Sequence, residues 1–547
     1  MDQRSSVTAS RPEEVRSDSN VAGPKGMKLP RVSLHLSASR VVQGDLTLLT
    51  NVGFAEKFAV VASLRIIRGG SRPRLLRENP LETHLKALAA SKFSTLWLDH
   101  PERPERLREL ADDERCQLLI VGGGFTGLWA ALQGKEKSPD LDIILIEATE
   151  VGDGASGRNG GFMSNSITHG QTNAEFHFPD DADRLVDLGN ENLQQILDSL
   201  DRYDIDARFE ETGSLTVTVR PEQNEGMDEW VEAQRDAGQD FVWFDREAMQ
   251  EEIHSPSYCG GLWDKRGRNG LVDPAALCWG LKKAILSLGV RVYEGTPLVK
   301  MRTEGGGMKI DCPKGTVRCE RVLMGINAFR NPIAKARRAV IPVWDYVVAT
   351  EPLTEAQRES IGWKRRQGLS QNVNMFHYYR QTLDDRIIWG GGTSVCYYYG
   401  NRTDASVADP RDRFEKLSQD FFETFPQLAG VRFSHRWSGI IASTTRFCLT
   451  PGTAFDGRVA WSIGYTGHGV SASRVGARIG LELLGYEPTD LIEMQLVKKP
   501  SMAWPPEPFR WMGVTMTRNE LARADRNGGR RGPWLALLDR LHLGFAC

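Results

Sequence analysis

One apolar run that ends in three spaced glycines constrains this chain more than any other feature. The run is Gln117–Val121, and Gly122, Gly124 and Gly127 follow it in G-x-G-x-x-G spacing. The first glycine permits a tight strand-to-helix turn, the second lets the backbone approach a pyrophosphate, and the third allows close helix–strand packing. A helix that begins here presents free N–H groups to phosphates. The motif therefore predicts a strand–turn–helix unit that binds a dinucleotide.

An acid follows at the distance that this motif requires. A second apolar run, Asp142–Ile146, ends on Glu147, twenty residues after Gly127. An acid in this place accepts hydrogen bonds from a ribose diol and repels the 2′-phosphate of an NADP-type cofactor. We therefore expect Glu147 to hold the ribose of a dinucleotide without that phosphate.

A glycine-dense loop at residues 152–161 comes next. Its small residues allow backbone amides to surround a polar ligand. Ser156, Arg158 and Asn159 add side-chain donors. The position of this loop, directly after the ribose-binding acid, predicts that it contacts the same cofactor.

The composition excludes several classes of protein. The 547 residues carry a net charge of −2 and are 40% hydrophobic. That balance gives no electrostatic reason to expect nucleic acid or an anionic membrane as partner. No apolar run approaches the ~20 residues of a membrane span, and no secretory signal is evident. The eight cysteines form no C-x-x-C pair, so we expect a reduced, cytoplasmic protein with no metal site.

The first 90 residues differ from the rest of the chain. Residues 1–26 are polar and lack a sustained period, which is typical of disorder. Residues 56–80 combine a short apolar run with five arginines. A transit peptide, a regulatory arm and a start codon placed too far upstream all fit this segment.

Periodicity predicts the main elements of the remainder. Helices are expected at 183–203, 227–237, 274–288, 470–484 and near 534–543. Strands are expected at 213–219, 290–293, 321–326, 346–350, 374–381, 386–391 and 458–463. The strands at 374–381 and 386–391 are expected to form a hairpin. The segments 117–161, 290–328 and 458–484 are expected to join in one nucleotide-binding unit.

Four stretches resemble the FAD-dependent amine oxidoreductases related to D-amino-acid oxidase. They are GGGFTGLW at 122–129, IEA at 146–148, GASGRNGGF at 154–162 and GYTGHGV at 464–470. That superfamily includes glycine, sarcosine and γ-glutamylputrescine oxidases. The R-N-G-G form is most similar to the γ-glutamylputrescine oxidase and aminophosphonate-oxidoreductase branches. The resemblance covers about residues 90–490.

The resemblance implies non-covalent FAD and three groups of cofactor-binding residues. Around the ADP half these are Gly122, Gly124, Phe125, Thr126, Gly127, Glu147 and Ala148, with backbone near Val299 facing the adenine. Beside the riboflavin half they are Gly154, Ala155, Ser156, Arg158, Asn159, Gly160 and Gly161. At the flavin ring they are Gly464, Thr466, Gly467, His468, Gly469 and Val470. The last loop opens a helix, whose positive end would stabilise negative charge on the reduced flavin.

The resemblance also implies a substrate wall at Phe376–Arg380. On a strand, Tyr378 and Arg380 share one face while His377 and Tyr379 share the other. Arg380 suits bidentate pairing with a carboxylate or phosphonate. We therefore expect Tyr378, Arg380 and His468 to be the catalytic or substrate-binding residues. Trp344 and Tyr346, which are core residues by default, are further candidates for this wall.

Two positions depart from the monomeric sarcosine oxidases. Ser471 stands where those enzymes carry a lysine that serves the reaction with oxygen. An acceptor other than oxygen is therefore an alternative. Those enzymes also link FAD to a cysteine, whereas Cys448 does not align cleanly with it.

These observations predict an α/β fold with a discontinuous Rossmann-like FAD-binding domain and a second, β-sheet-rich substrate domain. The FAD-binding domain is assigned to 91–199, 256–339 and 436–490, and the substrate domain to 200–255 and 340–435. An N-terminal extension at 1–90 and a C-terminal tail at 491–547, read as a strap over the surface, flank them. No oligomeric state is predicted.

The expected reaction is oxidation of a C–N bond in a small amine or amino-acid-like substrate by hydride transfer to the flavin. The reacting amine is neutral, and the imine that forms is hydrolysed. A NAD-dependent dehydrogenase would share the first motif but leaves the loops at 154–161 and 464–469 unexplained. A catalytically silent FAD-binding protein is the other alternative.

Overall fold

The computed structural model describes residues 80–236 and 238–544. Most of the predicted N-terminal extension, residues 1–79, lies outside this range. The helices of the described part are α1 Pro80–Leu88, α2 Phe125–Lys137, α3 Gln171–His177, α4 Ala182–Arg202, α5 Met227–Asp236, α6 Arg246–Glu252, α7 Pro274–Ser287, α8 Ala334–Ala339, α9 Glu355–Ile361, α10 Arg411–Thr424, α11 Gly469–Leu483, α12 Gln495–Lys498, α13 Phe509–Arg526 and α14 Pro533–Arg540. Helix α1 lies within the predicted extension.

The strands of the described part share two large sheets and one short ribbon. They are β1 Lys92–Phe93, β2 Glu114–Val121, β3 Ile143–Ile146, β4 Phe162–Met163, β5 Ser214–Thr218, β6 Phe241–Phe244, β7 Gly260–Asp264, β8 Gly270–Leu271, β9 Arg291–Tyr293, β10 Lys300–Glu304, β11 Gly307–Asp311, β12 Thr316–Met324, β13 Ile341–Thr350, β14 Gly368–Gln371, β15 His377–Gln381, β16 Ile387–Gly391, β17 Cys396–Tyr397, β18 Phe433–Ser443, β19 Thr450–Ala454 and β20 Val459–Ile463.

The first sheet has a parallel centre built from separate parts of the chain. Its order is β10-β11-β12-β2-β3-β9, and β20 pairs with β12 and β19. Strands β20, β12, β2, β3 and β9 run parallel. All four residues of β3 are buried, as expected for a parallel strand covered on both faces. These pairings place strands from the three segments 117–161, 290–328 and 458–484 in one sheet.

Three helices cover one face of this sheet and carry the loops of interest. Helix α2 follows β2 directly, and it packs against α7 and α11. Leu128 and Leu132 of α2 are fully buried with Leu281 of α7 and Ala477 of α11. This packing fixes the first turns of α2 and α11 relative to each other.

The second sheet has ten strands in the order β1-β18-β13-β16-β15-β14-β5-β7-β6, with β17 against β13. The hairpin β15–β16 is antiparallel with Tyr378 opposite Gly390, which confirms the predicted hairpin. The sheet also takes up β1, β7 and most of β18, beyond the ranges 200–255 and 340–435. These strands were missed because β1 has two residues and β7 (GGLWD) begins with two glycines.

The C-terminal segment is more helical than its sequence predicts. The final helix, α14, is where it was expected, but the 18-residue helix α13 was not predicted. Arg518 of α13 donates to the Val395 carbonyl at 2.8 Å, and Asp525 accepts from the backbone N–H of Asn374 and Met375 at 2.9 and 2.8 Å. Within the described range, no helix combines the length and apolar character needed to cross a membrane.

Candidate active site

The first glycines are required by close backbone packing. Gly122 has a φ of +109°, and a Cβ there would lie 2.7 Å from the Gly325 carbonyl oxygen. A Cβ on Gly127 would lie 2.0 Å from the Gly122 carbonyl oxygen. Both positions therefore exclude any side chain. The tight turn and the close helix–strand contact have the geometry that the motif predicts.

The N-terminus of α2 has the features of an anion site. Its N-cap residue, Gly124, has no side-chain cap, and the first turn contains no acid. The Phe125 N–H donates to Ser156 Oγ at 2.8 Å, which brings the second glycine-rich loop against this helix end. The Phe125 side chain is buried, and Thr126 Oγ1 bonds to the Tyr465 hydroxyl at 2.7 Å. Of these two residues, therefore, only the Thr126 backbone N–H remains for a phosphate, because the Phe125 N–H already donates to Ser156.

Glu147 lies beside this turn. Its Oε2 accepts from the Gly123 N–H at 2.7 Å, and its Oε1 accepts from the Thr149 N–H at 2.9 Å. Burial raises the pKa of Glu147, while these backbone donors oppose the shift. Oε1 also accepts from the Thr149 hydroxyl at 3.2 Å, so it is Oε2 that keeps a second lone pair for a diol hydroxyl. Ala148 beside it is exposed.

Val299 lies beside the β10–β11 hairpin. Its N–H donates to the Asp311 carbonyl at 2.9 Å within the β10–β11 hairpin, and its side chain is 65% exposed. The Val299 N–H is therefore used within the protein, and the contact of nearby backbone with the adenine stays a prediction.

Hydrogen bonds within the loop at 152–161 fix its conformation. Gly154 precedes a 3₁₀ turn at Ala155–Gly157. Asn159 Nδ2 donates to the carbonyls of Ala155 and Ser156 at 3.1 and 2.8 Å, and its Oδ1 accepts from the Gly161 N–H at 2.8 Å. The Asn159 side chain thus braces the loop, instead of offering a free donor as the sequence suggested.

Arg158 of the same loop joins it to the second sheet. Its Nε donates to the Asp153 carbonyl at 2.6 Å, and its carbonyl accepts from Trp437 Nε1 at 2.8 Å. Burial lowers the pKa of Arg158, and the neighbouring charges are Asp153 and Arg103. The guanidinium is therefore partly engaged within the protein.

The third loop, at 464–470, closes the other end of the site. Gly464 has a φ of +83°, and a Cβ there would lie 2.4 Å from Thr444 Cγ2. The Thr466 N–H donates to the Ala442 carbonyl of β18 at 3.1 Å. Gly467 is exposed, and α11 begins at Gly469 with no acid in its first turn and with Val470 buried. This helix end has the free N–H groups and positive dipole that were predicted for the flavin.

His468 is the N-cap residue of α11 and contacts a second histidine. Its ring stacks on His169 with 3.8 Å between ring centroids. Among the described residues its Nδ1 is buried without a hydrogen-bond partner. Burial lowers the pKa of His468 to about 4. The ring is therefore neutral near pH 7, and the helix end rather than His468 supplies positive potential.

One face of the second sheet spans the gap between these two loops. Strand β18 contacts Arg158 through Trp437 and contacts Thr466 through Ala442. Asp345 of β13 lies opposite Gly439, between those two contacts. Val343, Gly439 and Ile441 around it are only partly buried, although most of β13 is buried. We call Val343, Asp345, Gly439 and Ile441 the open patch.

Tyr378 and Asp345 form a hydrogen-bonded pair at the edge of this patch. The Tyr378 hydroxyl donates to Asp345 Oδ2 at 2.6 Å, and Asp345 Oδ1 accepts from the Gly391 N–H at 3.2 Å. A Cβ on Gly160 would lie 2.8 Å from the Tyr378 ring. Burial raises the pKa of Asp345 to about 6, although both hydrogen bonds oppose this, and holds the pKa of Tyr378 well above 10. The structure thus places Tyr378 against the predicted flavin loop.

Arg380 has a structural position instead of the substrate-binding one that was expected. It is 2% exposed, and it donates to the Val272 carbonyl at 2.7 Å and to Glu210 Oε1 at 3.3 Å. Its guanidinium also lies over the Trp97 ring, 5.5 Å from the centroid. Burial lowers its pKa to about 10. The predicted strand faces are correct, but the end of the face that carries Arg380 is covered by protein.

Trp344 and Tyr346 point away from the open patch. Trp344 Nε1 donates to the Arg402 carbonyl, and the Tyr346 hydroxyl donates to the Val407 carbonyl, both at 2.8 Å. The suggestion that they line the wall is wrong because side chains alternate along a strand. The same alternation places Asp345, which lies between them, on the face of the open patch.

The family match agrees with this geometry. Residues 117–483 match the FAD dependent oxidoreductase family, and the chain belongs to that family. The protein is therefore an FAD-dependent oxidoreductase with a Rossmann-like FAD-binding fold, as the resemblance predicted.

Individual relatives support the same placement. The chain is 31% identical to "Gamma-glutamylputrescine oxidoreductase" of Escherichia coli over 374 residues, which are 68% of this chain and 83% of the relative. It is 27% identical to "Probable oxidoreductase OrdL" of Haemophilus influenzae, over 74% of this chain and 91% of the relative. The solved glycine oxidase of Bacillus cereus shares the fold, with a TM-score of 0.55 and 15% identity over 72% of this chain and all of that one.

Proposed function

We propose that this protein oxidises a C–N bond of a small amine or amino-acid-like substrate at the open patch. The observation that carries the proposal is the Tyr378–Asp345 pair, which lies between the two loops assigned to the flavin. Bound FAD supplies the two-electron acceptor for the oxidation. The imine product then takes up water to give a carbonyl compound and an amine or ammonia.

Each part of the FAD molecule is assigned to residues of the described loops and helix ends. Gly122, Gly124 and Gly127 would hold the pyrophosphate at the start of α2, and Glu147 would hold the ribose. The loop at 154–161 would lie along the riboflavin half. The start of α11 would stabilise the charge that FAD gains on reduction. Cys448 is buried and its pKa is raised to about 11, which supports non-covalent binding.

Side chains of this chain would orient the amine and exclude water. Val343 and Ile441 present apolar surface beside Asp345, and a low-dielectric site favours the uncharged form of the reacting amine. The Tyr378 oxygen can accept a hydrogen bond from a substrate N–H, because its own hydrogen is bonded to Asp345. Arg380 has no acid-binding role in this proposal, because it is buried and bonded to Val272 and Glu210.

Turnover assays with two electron acceptors test this proposal. Purified holoprotein would be assayed with diamines, monoamines, D-amino acids and N-methylated amino acids, using either oxygen or an artificial dye as acceptor. We expect carbonyl product from one of these classes, loss of activity on removal of FAD and recovery on its return. Because Ser471 stands where the monomeric sarcosine oxidases carry a lysine, turnover with the dye and without oxygen consumption would be a form of the same activity.

A matched pair of variants localises the activity to one face of β13 and β15. Tyr378→Phe is expected to lower kcat/KM about tenfold or more. Trp344→Phe changes a side chain on the opposite face and is expected to leave kcat/KM within about twofold. Equal losses in both variants, or no turnover of any amine, would contradict the proposal.

A second proposal concerns location. Seven cysteines of the described part have free thiols, and we propose that the protein works in a reducing compartment such as the cytoplasm.

A further inference from the structure

Asp345 is a buried carboxylate on the face of the second sheet that carries the open patch. It is 7% exposed, and among the described residues it takes part in no ion pair. Its partners are the Tyr378 hydroxyl and the Gly391 N–H. Burying a carboxylate without a cation is costly. A cation supplied from outside would remove that cost.

The nearest cationic side chains are engaged elsewhere. His377 lies on the opposite face of the sheet, where its Nε2 is 3.2 Å from Asp420 Oδ2 and its Nδ1 contacts the Gly390 carbonyl at 3.2 Å. Arg158 interacts with Asp153 and with backbone carbonyls. Arg380 pairs with Glu210 at the covered end of the face.

The hydrogen-bond polarity of the pair selects the kind of ligand. Tyr378 has one hydroxyl hydrogen, and Asp345 Oδ2 accepts it at 2.6 Å. Towards the open patch the tyrosine oxygen therefore offers only lone pairs, with a negative charge behind it. A ligand carboxylate would meet an acceptor and a like charge, whereas an ammonium group would donate to the oxygen and be attracted to the carboxylate.

We propose that Tyr378 and Asp345 form an ammonium-binding subsite, and that the substrate is an amine carrying a second, positively charged nitrogen. The inference rests on the proposed function, since the nitrogen that is oxidised must be uncharged and so cannot be the one held here. Diamines and longer polyamines have this chemistry. A substrate anchored by its carboxylate does not.

Binding to the reduced holoprotein tests the subsite without turnover. The bound flavin would be reduced chemically under nitrogen, so that no ligand can be oxidised. Calorimetry would then give the affinities of 1,4-diaminobutane, butylamine and 4-aminobutanoate, which share a four-carbon chain. We expect the diamine to bind about tenfold or more tightly than either of the others. Absence of diamine binding, or equal binding of 4-aminobutanoate, would overturn the inference.

Variants separate the subsite from a general effect of charge. Asp345→Asn is expected to reduce diamine affinity about tenfold or more and to leave butylamine affinity within about twofold. Tyr378→Phe keeps the Asp345 carboxylate but removes the tyrosine oxygen, and it should reduce the preference for the diamine over butylamine. Asp420→Asn removes a mostly buried carboxylate behind the sheet, next to His377, and should leave the preference unchanged. A loss of preference in Asp420→Asn equal to that in Asp345→Asn would also overturn the inference.

The inference and the proposed function can fail separately. If the protein oxidises amino acids and binds 4-aminobutanoate as tightly as it binds the diamine, the proposed function stands and the subsite is wrong. If diamines bind through Asp345 but no amine reduces the flavin, the subsite stands and the proposed function is wrong.

Discussion

At the scale of single residues, the ionisation of Asp345 governs what the open patch can bind. Burial raises its pKa to about 6, and the groups that face it are Tyr378, the backbone N–H of Gly391 and of Tyr346, and, through the sheet, His377. Protonation below that pH removes the charge that would attract a cation. An acid near pH 6 is therefore expected to control activity in the physiological range.

The pH profile of kcat/KM should show this ionisation. A neutral reacting amine alone gives a slope of one in log kcat/KM against pH, and a second required ionisation adds one more unit below its pKa. We expect a slope near two below pH ~6 and near one above it. The Asp345→Asn variant should keep a slope near one throughout. A wild-type profile without a change of slope would contradict this role for Asp345.

Arg380 is expected to matter for stability and not for substrate affinity. In the Arg380→Ala variant the Val272 carbonyl loses the Arg380 donor, and Glu210 loses one ion pair and keeps the one with Arg366. We expect the free energy of unfolding to fall by about 2–3 kcal/mol, with KM unchanged for the folded fraction. Denaturant unfolding and steady-state kinetics measure the two effects. Unchanged stability with a much higher KM would restore Arg380 as a substrate ligand.

At the scale of elements, a buried ion pair ties α7 to the cofactor region. Lys282 of α7 lies 2.8 Å from Glu294 Oε1, and both side chains are almost completely buried. Glu294 also accepts from the backbone N–H of Val151 at 2.8 Å and of Leu107 at 2.5 Å. One carboxylate thus holds a helix, the strand end after β9 and the start of the 152–161 loop.

Removal of the lysine should be strongly destabilising. The Lys282→Met variant leaves Glu294 buried and without a cation, and we expect a loss of about 3–5 kcal/mol in the free energy of unfolding. Adding Glu294→Gln should recover part of that loss because the unpaired charge is gone. A single-variant loss below about 1 kcal/mol would show that the pair is not structurally important.

Which elements could be predicted depends on where their stability comes from. Helix α4 has an apolar stripe from Leu185 to Leu200 and was predicted almost to the residue. Strand β7 and helix α13 are held by pairing and by contacts with distant segments, so their own sequences contain weak signals. The turns at the glycine motifs could be predicted because backbone packing excludes a side chain at those positions. Asp345 was missed because only the register with Gly439 shows that it lies between the two loops.

At the scale of the whole molecule, the C-terminal segment supports the strand that carries Tyr378. Asp525 of α13 accepts from the backbone N–H of Asn374 and Met375, just before β15. Asn374 Nδ2 also donates to it at 2.6 Å. Helix α13 therefore orders the approach to the candidate substrate wall.

Hydrogen exchange can detect this support. In Asp525→Ala the N–H groups of Asn374 and Met375 lose their acceptor, and we expect their exchange to be about tenfold faster. The control is Asp539→Ala. It removes a carboxylate of α14 that pairs with Arg531, and it should leave the exchange rates of Asn374 and Met375 unchanged. Unchanged exchange in Asp525→Ala would mean that α13 does not order the segment.

The proposed reaction requires that an amine reduces the bound flavin. Purified protein loaded with FAD would be mixed under nitrogen with each amine class, and the visible spectrum would be followed through one turnover. We predict that the oxidised-flavin spectrum bleaches with at least one amine and that one carbonyl product forms per flavin reduced. A flavin spectrum that no amine bleaches would contradict the proposed reaction, and failure to bind FAD would contradict the assignment of the site itself.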